Sequence, residues 1–527
     1  MPFDQSRNML ASAASPYLKL HSGNPIHWQE WSAELAAYAK ANKKPILVSV
    51  GYSSCHWCHV MAREAFSNRE IADYLNEHFL CVKVDREERP DIDELMMRAS
   101  IEMTGSGGWP LNVFLSSQLR PFFSLTYAPI EPRYGLPGFL EILRKVREHY
   151  EANGGEMERL ELAVPRPADA FEHALVPALA SRYDWTNDGW GGAPKFPSHC
   201  TLLFSLAYFE ETRETRLLEM ARRALDRMLA SGLCDHLQGG FFRYCVDDGW
   251  EIPHFEKMLY DQAMHLWNYS IAYRLLGEER YARAARGICQ CLEDSFSING
   301  LYASALDADE GEKEGATYLW GYDEMKEALS KEEFALFCKH YAISRKGNFE
   351  GKSHITKKTL EGNSALLAVE SKLLAIRKAR RQPFRDAKAV TSWNCLAGIA
   401  LVNAYRCLGY EKYLSRAFEL FDELLCRNFS GGELLRYSID GKAHGNAVLE
   451  DYAALLLFAT YIHEESGGKE ALIRSLTDGI ERFRVRGHLF ESRGRDFLDV
   501  EASAFDHPTP SSVSLTELAL ARASAIL

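Results

Sequence analysis

The sequence predicts a chain of two domains, the first α/β and the second all-α. Three observations carry this. An apolar strand pattern at 45–50 runs straight into Cys55-His56-Trp57-Cys58 at the start of a helical stretch. Strand and helix patterns then alternate to about residue 155. Beyond about residue 170 the chain reads as almost wholly helical, and parts of it repeat. A length of 527 residues accommodates at least two such domains.

Composition narrows the function classes. Apolar residues make up 46% and charged residues 25%, as in ordinary soluble globular proteins. A formal net charge of −12 argues against nucleic acid as the main partner. No apolar run is long enough to span a membrane. The first twenty or so residues lack an apolar core ahead of a cleavage site, so no secretory signal is read and a cytoplasmic location is expected. The 12 cysteines are scattered; apart from Cys55 and Cys58 they read as small buried thiols of a reducing compartment, not as a disulfide framework.

In the first domain, Asn24-Pro25 predicts a helix over 28–42 with proline near its start. A strand follows at 45–50, then a cysteine helix at 55–66, which is read as continuing over 68–78. Residues 79–84 are a strand and 91–104 an amphipathic helix after Arg89-Pro90. Residues 111–115 and 122–127 form a hairpin around Gln118-Leu119-Arg120, and 138–150 is a last helix. This β-α-β-α-β-β-α order, with Cys-x-x-Cys after the first buried strand, resembles the thioredoxin fold. That resemblance implies a cis proline facing the cysteines, and Pro110 of Trp109-Pro110 stands at its place. It also implies a buried acid six residues before the first cysteine, where this chain has Ser49.

The chemistry follows from position. Cys55 is expected in the first turn of its helix, with Ser53 or Ser54 as N-cap. The positive end of the helix dipole favours thiolate there. Cys58, one turn on, is the resolving thiol that disulfide exchange requires. His56 between them would make the pair more oxidising. Two other readings stay open. Cys55, Cys58 and His59 stand at i, i+3 and i+4, a spacing that also suits zinc. The pair is also readable as an inert relic. No cofactor beyond the dithiol is expected. The charged run 85–91 reads as a solvated loop.

The domain boundaries read as 1–155, a linker at 156–169 that follows Gly154-Gly155 and contains Pro165-Arg166-Pro167, and a helical domain at 170–527. Ala272-Tyr273-Arg274-Leu275-Leu276-Gly277 recurs as Ala404-Tyr405-Arg406-Cys407-Leu408-Gly409, each copy ending one helix and starting another at glycine. Gly239-Gly240 with Arg243-Tyr244 is echoed by Gly431-Gly432 with Arg436-Tyr437, and Tyr260-Asp261 by Glu450-Asp451. Repeated αα-hairpins with long decorated loops predict an (α/α)6 toroid, with a cavity at the mouth of its inner helices. His254, Glu256 and Asp261 are the candidate acid–base groups. Arg243, Tyr244, Asp247, Trp250, Asp307, Asp309, Trp320, Trp393, Asn394, Glu450 and Asp451 are candidate binding residues, since aromatics and convergent acids suit a sugar. Any single acid among them also reads as a helix cap or a surface group.

Three strings combine: 44–61 around the cysteines, 83–91, and Thr104-Gly105-Ser106-Gly107-Gly108-Trp109-Pro110-Leu111-Asn112-Val113-Phe114. With Ala193-Pro194-Lys195-Phe196-Pro197, the string 253–261 and Trp393-Asn394, they resemble the spermatogenesis-associated thioredoxin-like protein family over nearly the whole chain. The resemblance implies a thioredoxin-like fold followed by an (α/α)6 toroid related to N-acylglucosamine 2-epimerases and six-hairpin glycosidases. Where members of that family carry Pro-Ser-Gly-Asn-Ser, this chain has Pro510-Ser511-Ser512-Val513-Ser514, and it ends at Leu527, so a shortened last hairpin is expected. The functions in view are thiol–disulfide exchange with Cys55 as nucleophile, a carbohydrate-active enzyme (epimerase, isomerase or hydrolase), and a redox-sensing scaffold without catalysis. The partner would be a protein thiol or a small molecule such as a sugar, with neither nucleic acid nor membrane involved.

Overall fold

The computed structural model of the chain describes residues 3–133, 135–162, 164–165, 171–311, 313–361, 364–495 and 498–527. It divides into two compact units. One comprises Met1–Pro165, His444–Leu449 and Glu481–Ser503; the other comprises Arg166–Ala443, Glu450–Ile480 and Ala504–Leu527. The linker read at 156–169 falls partly outside the described residues. Segments 444–449 and 481–503, assigned to the helical domain by sequence order, group with the first unit. There the hairpin strands His488–Arg495 and Leu498–Glu501 pair with each other, and Arg98 donates to the Glu501 carbonyl at 2.7 Å.

The first unit runs α1 (Pro16–Leu20), α2 (Ala33–Asn42), β1 (Ile46–Gly51), α3 (His56–Arg63), α4 (Arg69–His78), β2 (Leu80–Asp85), α5 (Pro90–Thr104), β3 (Leu111–Leu115), β4 (Pro121–Leu125) and α6 (Phe139–Ala152). The sheet order is β2-β1-β3-β4. Strand β1 is parallel to β2 and antiparallel to β3, and β4 is the antiparallel hairpin partner of β3. This is the thioredoxin-like arrangement. Ile46, Val48, Val50, Val82, Val84, Leu111, Val113 and Leu115 form its core with Ile92 and Met96 of α5. Each such side chain contributes about 1.5–3 kcal/mol through burial.

The helix expected at 28–42 starts later, at Ala33, because Ser32 caps it by accepting from Leu35 N at 3.2 Å. The residues before it run beside β2: Gln29 N donates to Cys81 O and Lys83 N to Gln29 O, both at 2.9 Å. Asn24 opens no helix. It holds the turn after α3 instead, donating to Ser67 Oγ at 3.0 Å.

The second unit is a double-layered helical toroid. Its helices are α7 (Phe171–Ser181), α8 (His199–Thr212), α9 (Thr215–Ala230), α10 (Leu259–Leu276), α11 (Glu279–Cys291), α12 (Tyr322–Ala328), α13 (Lys331–His340), α14 (Ser364–Lys378), α15 (Thr391–Leu408), α16 (Glu411–Asn428), α17 (Leu449–Ser466), α18 (Glu470–Glu481) and α19 (Ser512–Ile526). Inner and outer layers are legible from burial. In α10 every residue from Leu259 to Ser270 is buried, and in α15 every residue from Thr391 to Val402. A helix covered on all sides belongs inside a helical shell. Helices α9, α11 and α16 bury one stripe each, in α9 Leu217, Ala221, Ala224 and Met228 among others. The repeat is structural as well: Gly277 and Gly409 both cap their helices in the left-handed region, at φ 69° and 76°. Ser511, in the altered Pro510-Ser511-Ser512 segment, caps α19 by accepting from Ser514 N at 3.1 Å. No helix among the described residues is long and apolar enough to cross a membrane.

Candidate functional site

Strand β1 delivers the chain into the turn Tyr52-Ser53-Ser54, and α3 starts immediately after Cys55. Neither serine is the N-cap. Cys55 takes that position itself, and its Sγ accepts from the Cys58 backbone N–H at 3.2 Å. Cys55 therefore stands one step before the first helical turn, at the mouth of the helix dipole. The two cysteines are joined by a disulfide, with Cα atoms 5.2 Å apart. In this state neither sulfur is available to a metal. His59 Nε2 lies 2.6 Å from the Ser53 carbonyl, which ties the helix back to the turn before it. Trp57, by contrast, is 45% exposed and tilts against Tyr127 with ring centroids 5.0 Å apart.

Trp109-Pro110, expected to face the cysteines, lies between α5 and β3. The Trp109-Pro110 peptide is cis. Trp109 Nε1 donates to Asp93 Oδ1 at 2.8 Å, and the Arg86 guanidinium lies 4.1 Å over the indole while pairing with Asp93 at 3.2 Å. Trp109 also meets Tyr52, in the turn before Cys55, edge to face at 5.8 Å. The charged run 85–91, expected as a solvated loop, is instead largely buried, with Arg86 against Trp109. Asp85, Glu87 and Asp91 are buried. Asp85 accepts from Ser15 Oγ at 2.6 Å and from Glu87 N at 2.9 Å, and Arg89 holds Asp91 at 2.8 Å. Buried carboxylates persist when they are hydrogen-bonded or ion-paired, as Asp85 and Asp91 are.

Ser49 and Lys83 face each other in register on β1 and β2. Lys83 Nζ donates to Ser49 Oγ at 2.9 Å and lies over the rings of Phe66, Trp28 and Tyr17 at 4.5, 5.1 and 5.3 Å. Burial pushes its amine well below the ordinary lysine range. Lys83 escaped the sequence reading because one lysine in a strand pattern normally marks a solvent edge; the aromatic residues that bury it lie far away in sequence.

In the second unit the structure gathers five of the expected residues. Strands β5 (Tyr244–Cys245) and β6 (Pro253–His254) form a small hairpin beside the start of α10. Arg243 pairs with Glu256 at 2.9 Å, and His254 Nε2 lies 3.5 Å from the same carboxylate. His254 Nδ1 meets Glu314 at 2.7 Å, and the Tyr244 ring stands 5.2 Å from the imidazole. Asp261 accepts from His199 at 3.1 Å. Burial raises the Asp261 carboxyl above its usual range, against the opposing pull of His199. Burial works against the His254 cation, but Glu256 and Glu314 outweigh it and raise the imidazole.

The second repeat arranges the same residue types differently. Arg436 Nη1 contacts Asp451 at 2.7 Å, Glu450 at 2.9 Å and Ser392 Oγ at 3.1 Å. Here the arginine locks the aspartate. In the first repeat the arginine is taken by Glu256, and the Asp261 Oδ2 atom is buried with no hydrogen-bond partner among the described residues. An unpaired buried carboxylate oxygen is costly and calls for an explanation.

The other expected residues sit in structural roles or apart. Asp247 caps its own loop, accepting from Glu251 N and Ile252 N at 2.9 and 2.7 Å. Trp250 is buried and donates to the Asp188 carbonyl at 2.9 Å. Trp320 lies in the apolar core around α12–α14 under the Arg380 guanidinium. Asn394 bridges to the Tyr302 backbone at 2.8 and 3.0 Å. Trp393 packs edge to face on Tyr260 at 4.8 Å. Asp307 and Asp309 are buried together, with Asp307 accepting from Asp309 N at 3.1 Å.

Sequence reasoning missed His199 and Glu314, which complete the first cluster. It also missed a buried ion network in which Asp235 pairs with Lys257 at 2.6 Å and with Arg377 at 2.8 Å. Burial raises the Asp235 carboxyl, but the two cations more than reverse this and hold it far below its usual range.

A thioredoxin-like domain joined to a helical toroid is the class of protein that this fold and these sites define. A family model described as "Thioredox_DsbH: Protein of unknown function, DUF255" matches residues 7–165. Spermatogenesis-associated protein 20 of Homo sapiens is 35% identical over 532 residues, covering 87% of this chain and 67% of the human protein. "Uncharacterized protein B0495.5" of Caenorhabditis elegans is 32% identical, covering 89% of this chain and 73% of that protein. The chain belongs to the spermatogenesis-associated protein 20 family. It spans about two thirds of the length of the human relative, and 60% of that of the Mus musculus relative. Among solved structures, a sugar epimerase from a ruminal bacterium is 14% identical at a TM-score of 0.34, covering 66% of this chain and 96% of its own. A DsbH oxidoreductase is 22% identical at a TM-score of 0.19, covering 24% of this chain and 85% of its own.

Proposed function

We propose that the first unit carries out thiol–disulfide exchange, with Cys55 as the attacking sulfur and Cys58 as the resolver. The observation that carries this reading is the Cys55 Sγ at the N-cap of α3, accepting the Cys58 backbone N–H at 3.2 Å. That hydrogen bond and the helix dipole stabilise the thiolate once the disulfide is reduced. The Cys55 thiolate attacks a substrate disulfide, forming a mixed disulfide and releasing one substrate sulfur as thiolate. Cys58 then attacks Cys55 Sγ and releases the second, so the substrate is reduced and the pair oxidised; the reverse sequence oxidises a substrate dithiol. The remaining ten cysteines are free, which fits work in a reducing cytoplasm. The reading is tested by trapping: Cys58→Ser in the full chain should accumulate a mixed disulfide at Cys55 with a protein or peptide disulfide. Absence of any adduct at Cys55 would remove the reading.

A second reading concerns the toroid, and the bare Asp261 Oδ2 in the first repeat favours it. This oxygen and the His254–Glu256–Arg243 group form a candidate site for a hydroxyl-rich ligand such as a sugar, with Asp261 and His254 as proton carriers. A sugar panel screened by thermal shift should give at least one stabilising ligand. Asp261→Asn should abolish that shift while Asp247→Asn leaves it in place; a flat response across the panel would count against a sugar site.

A further inference from the structure

The cations that the described residues gather around Asp261 are all paired. Arg243 holds Glu256 at 2.9 Å, and His254 stands between Glu256 and Glu314 at 3.5 and 2.7 Å. His199 meets Asp261 at 3.1 Å, and Lys195, four residues earlier, meets Asp184 at 2.6 Å. We infer that this site takes an uncharged sugar, seated on the ring of Phe196, and discriminates against sugar acids and sugar phosphates. The inference rests on the sugar reading of the toroid and adds to it the charge of the ligand and a residue that holds its ring.

The charge balance supports the first part. Against the carboxylates of Asp261, Glu256 and Glu314 stand one guanidinium and two imidazoles. Even with both imidazoles protonated, this group has no surplus positive charge. The positive end of the α10 dipole is itself met by Asp261 in the first turn. A carboxylate or phosphate brought into so buried a setting would be an uncompensated anion, which is costly.

Asp261 Oδ2 points the same way. It is buried and has no hydrogen-bond partner among the described residues. A sugar hydroxyl donates to this oxygen when the carboxyl is ionised and accepts from it when it is protonated. An anionic oxygen only accepts, so it is repelled by an ionised Asp261.

The segment that carries His199 also builds a platform. Lys195 pairs with Cys245 of β5 through both backbone hydrogen bonds, at 2.8 and 3.0 Å, which sets Phe196 beside Tyr244. The Phe196 and Tyr244 rings stack at 4.5 Å and 27°. Tyr244 in turn lies 5.2 Å from the His254 ring at 32°. Three nearly parallel rings thus step from the surface to the buried imidazole. Phe196 is the outermost, and its ring is 38% exposed although it is large and apolar. Phe196 and His199 are separated by at most ~11 Å of chain, so one small sugar reaches from the platform towards Asp261. An apolar sugar face covers the ring while the hydroxyls at its edge meet the polar group.

The test is a matched-ligand titration of the full chain at pH 7. Each uncharged sugar is measured beside its own acid and phosphate, for example D-glucose beside D-glucuronate and D-glucose 6-phosphate, by thermal shift and then by calorimetry. At least one uncharged sugar should bind, and its acid and phosphate should bind at least about tenfold more weakly. Phe196→Ala should weaken the uncharged sugar about fivefold or more, and Phe196→Tyr, which keeps the ring, should bind it as the wild type does. An acid or phosphate that binds within tenfold of its uncharged counterpart, or more tightly, would overturn the inference while leaving the sugar reading in place. Undiminished affinity in Phe196→Ala would overturn it as well. No response to any sugar, charged or uncharged, would defeat the sugar reading and this inference with it.

Discussion

Cys55→Ser should lower thiol–disulfide exchange by about a thousandfold or more, to the background of the remaining thiols, while leaving the fold intact. The size of the effect follows from the chemistry: the Cys55 sulfur stands at the N-cap of α3 and accepts a backbone N–H there, which favours the thiolate that exchange needs. The other cysteines offer no substitute. Burial pushes the Cys81, Cys234 and Cys289 thiols up to about 12, so at neutral pH they are almost wholly protonated and unreactive. Cys426 is exposed, but lies on the outer helix α16 without a resolving partner among the described cysteines. The measurement is the rate of reduction of a peptide disulfide under a coupled reductant. Residual activity in Cys55→Ser within tenfold of wild type would place the chemistry elsewhere.

Arg436→Met should destabilise the second unit by about 3–5 kcal/mol, seen as a lower midpoint for its urea unfolding transition. Arg436 is 1% exposed and neutralises both Glu450 and Asp451 through one guanidinium nitrogen, with Ser392 as a further partner. Removing it leaves two carboxylates facing each other at the start of α17, in a setting that water barely reaches. The loss of an arginine at the surface would cost well under 1 kcal/mol. Arg436→Met combined with Asp451→Asn should recover part of the loss, because it removes one of the stranded charges. A midpoint unchanged by Arg436→Met would show that the carboxylates are solvated or already protonated.

Much of the fold was legible in the sequence because its signals are local. The strand at 45–50, the Cys-x-x-Cys turn and the hairpin after Trp109-Pro110 are set by short-range apolar patterning and turn chemistry, and the structure places all three as expected. The repeated glycine caps at Gly277 and Gly409 carried the helical hairpins in the same way. What the sequence concealed depends on contacts distant along the chain. Lys83 becomes a buried amine only when Tyr17, Trp28 and Phe66 fold over it. The run 85–91 looks like solvent-facing charge until Ser15, 70 residues earlier, is seen donating to Asp85. The N-cap falls one or two positions past the serines, the usual choice there, because the Cys55 sulfur itself accepts the Cys58 backbone N–H. In the toroid, Arg243 and Arg436 look equivalent by repeat; only the structure shows that one holds Glu256 and the other Asp451, leaving Asp261 to His199.

The most direct measurement of the central claim is a redox equilibrium of the full wild-type chain across glutathione buffers of increasing oxidised fraction. Each sample is alkylated and the state of every cysteine read by peptide mass spectrometry. The expected result is one two-electron transition confined to Cys55 and Cys58, reached from both the oxidised and the reduced side, with the other cysteines remaining thiols. A pair that stays disulfide-bonded or stays reduced across every buffer, or that fails to reach the same point from the two directions, would contradict a redox-active site at the head of α3.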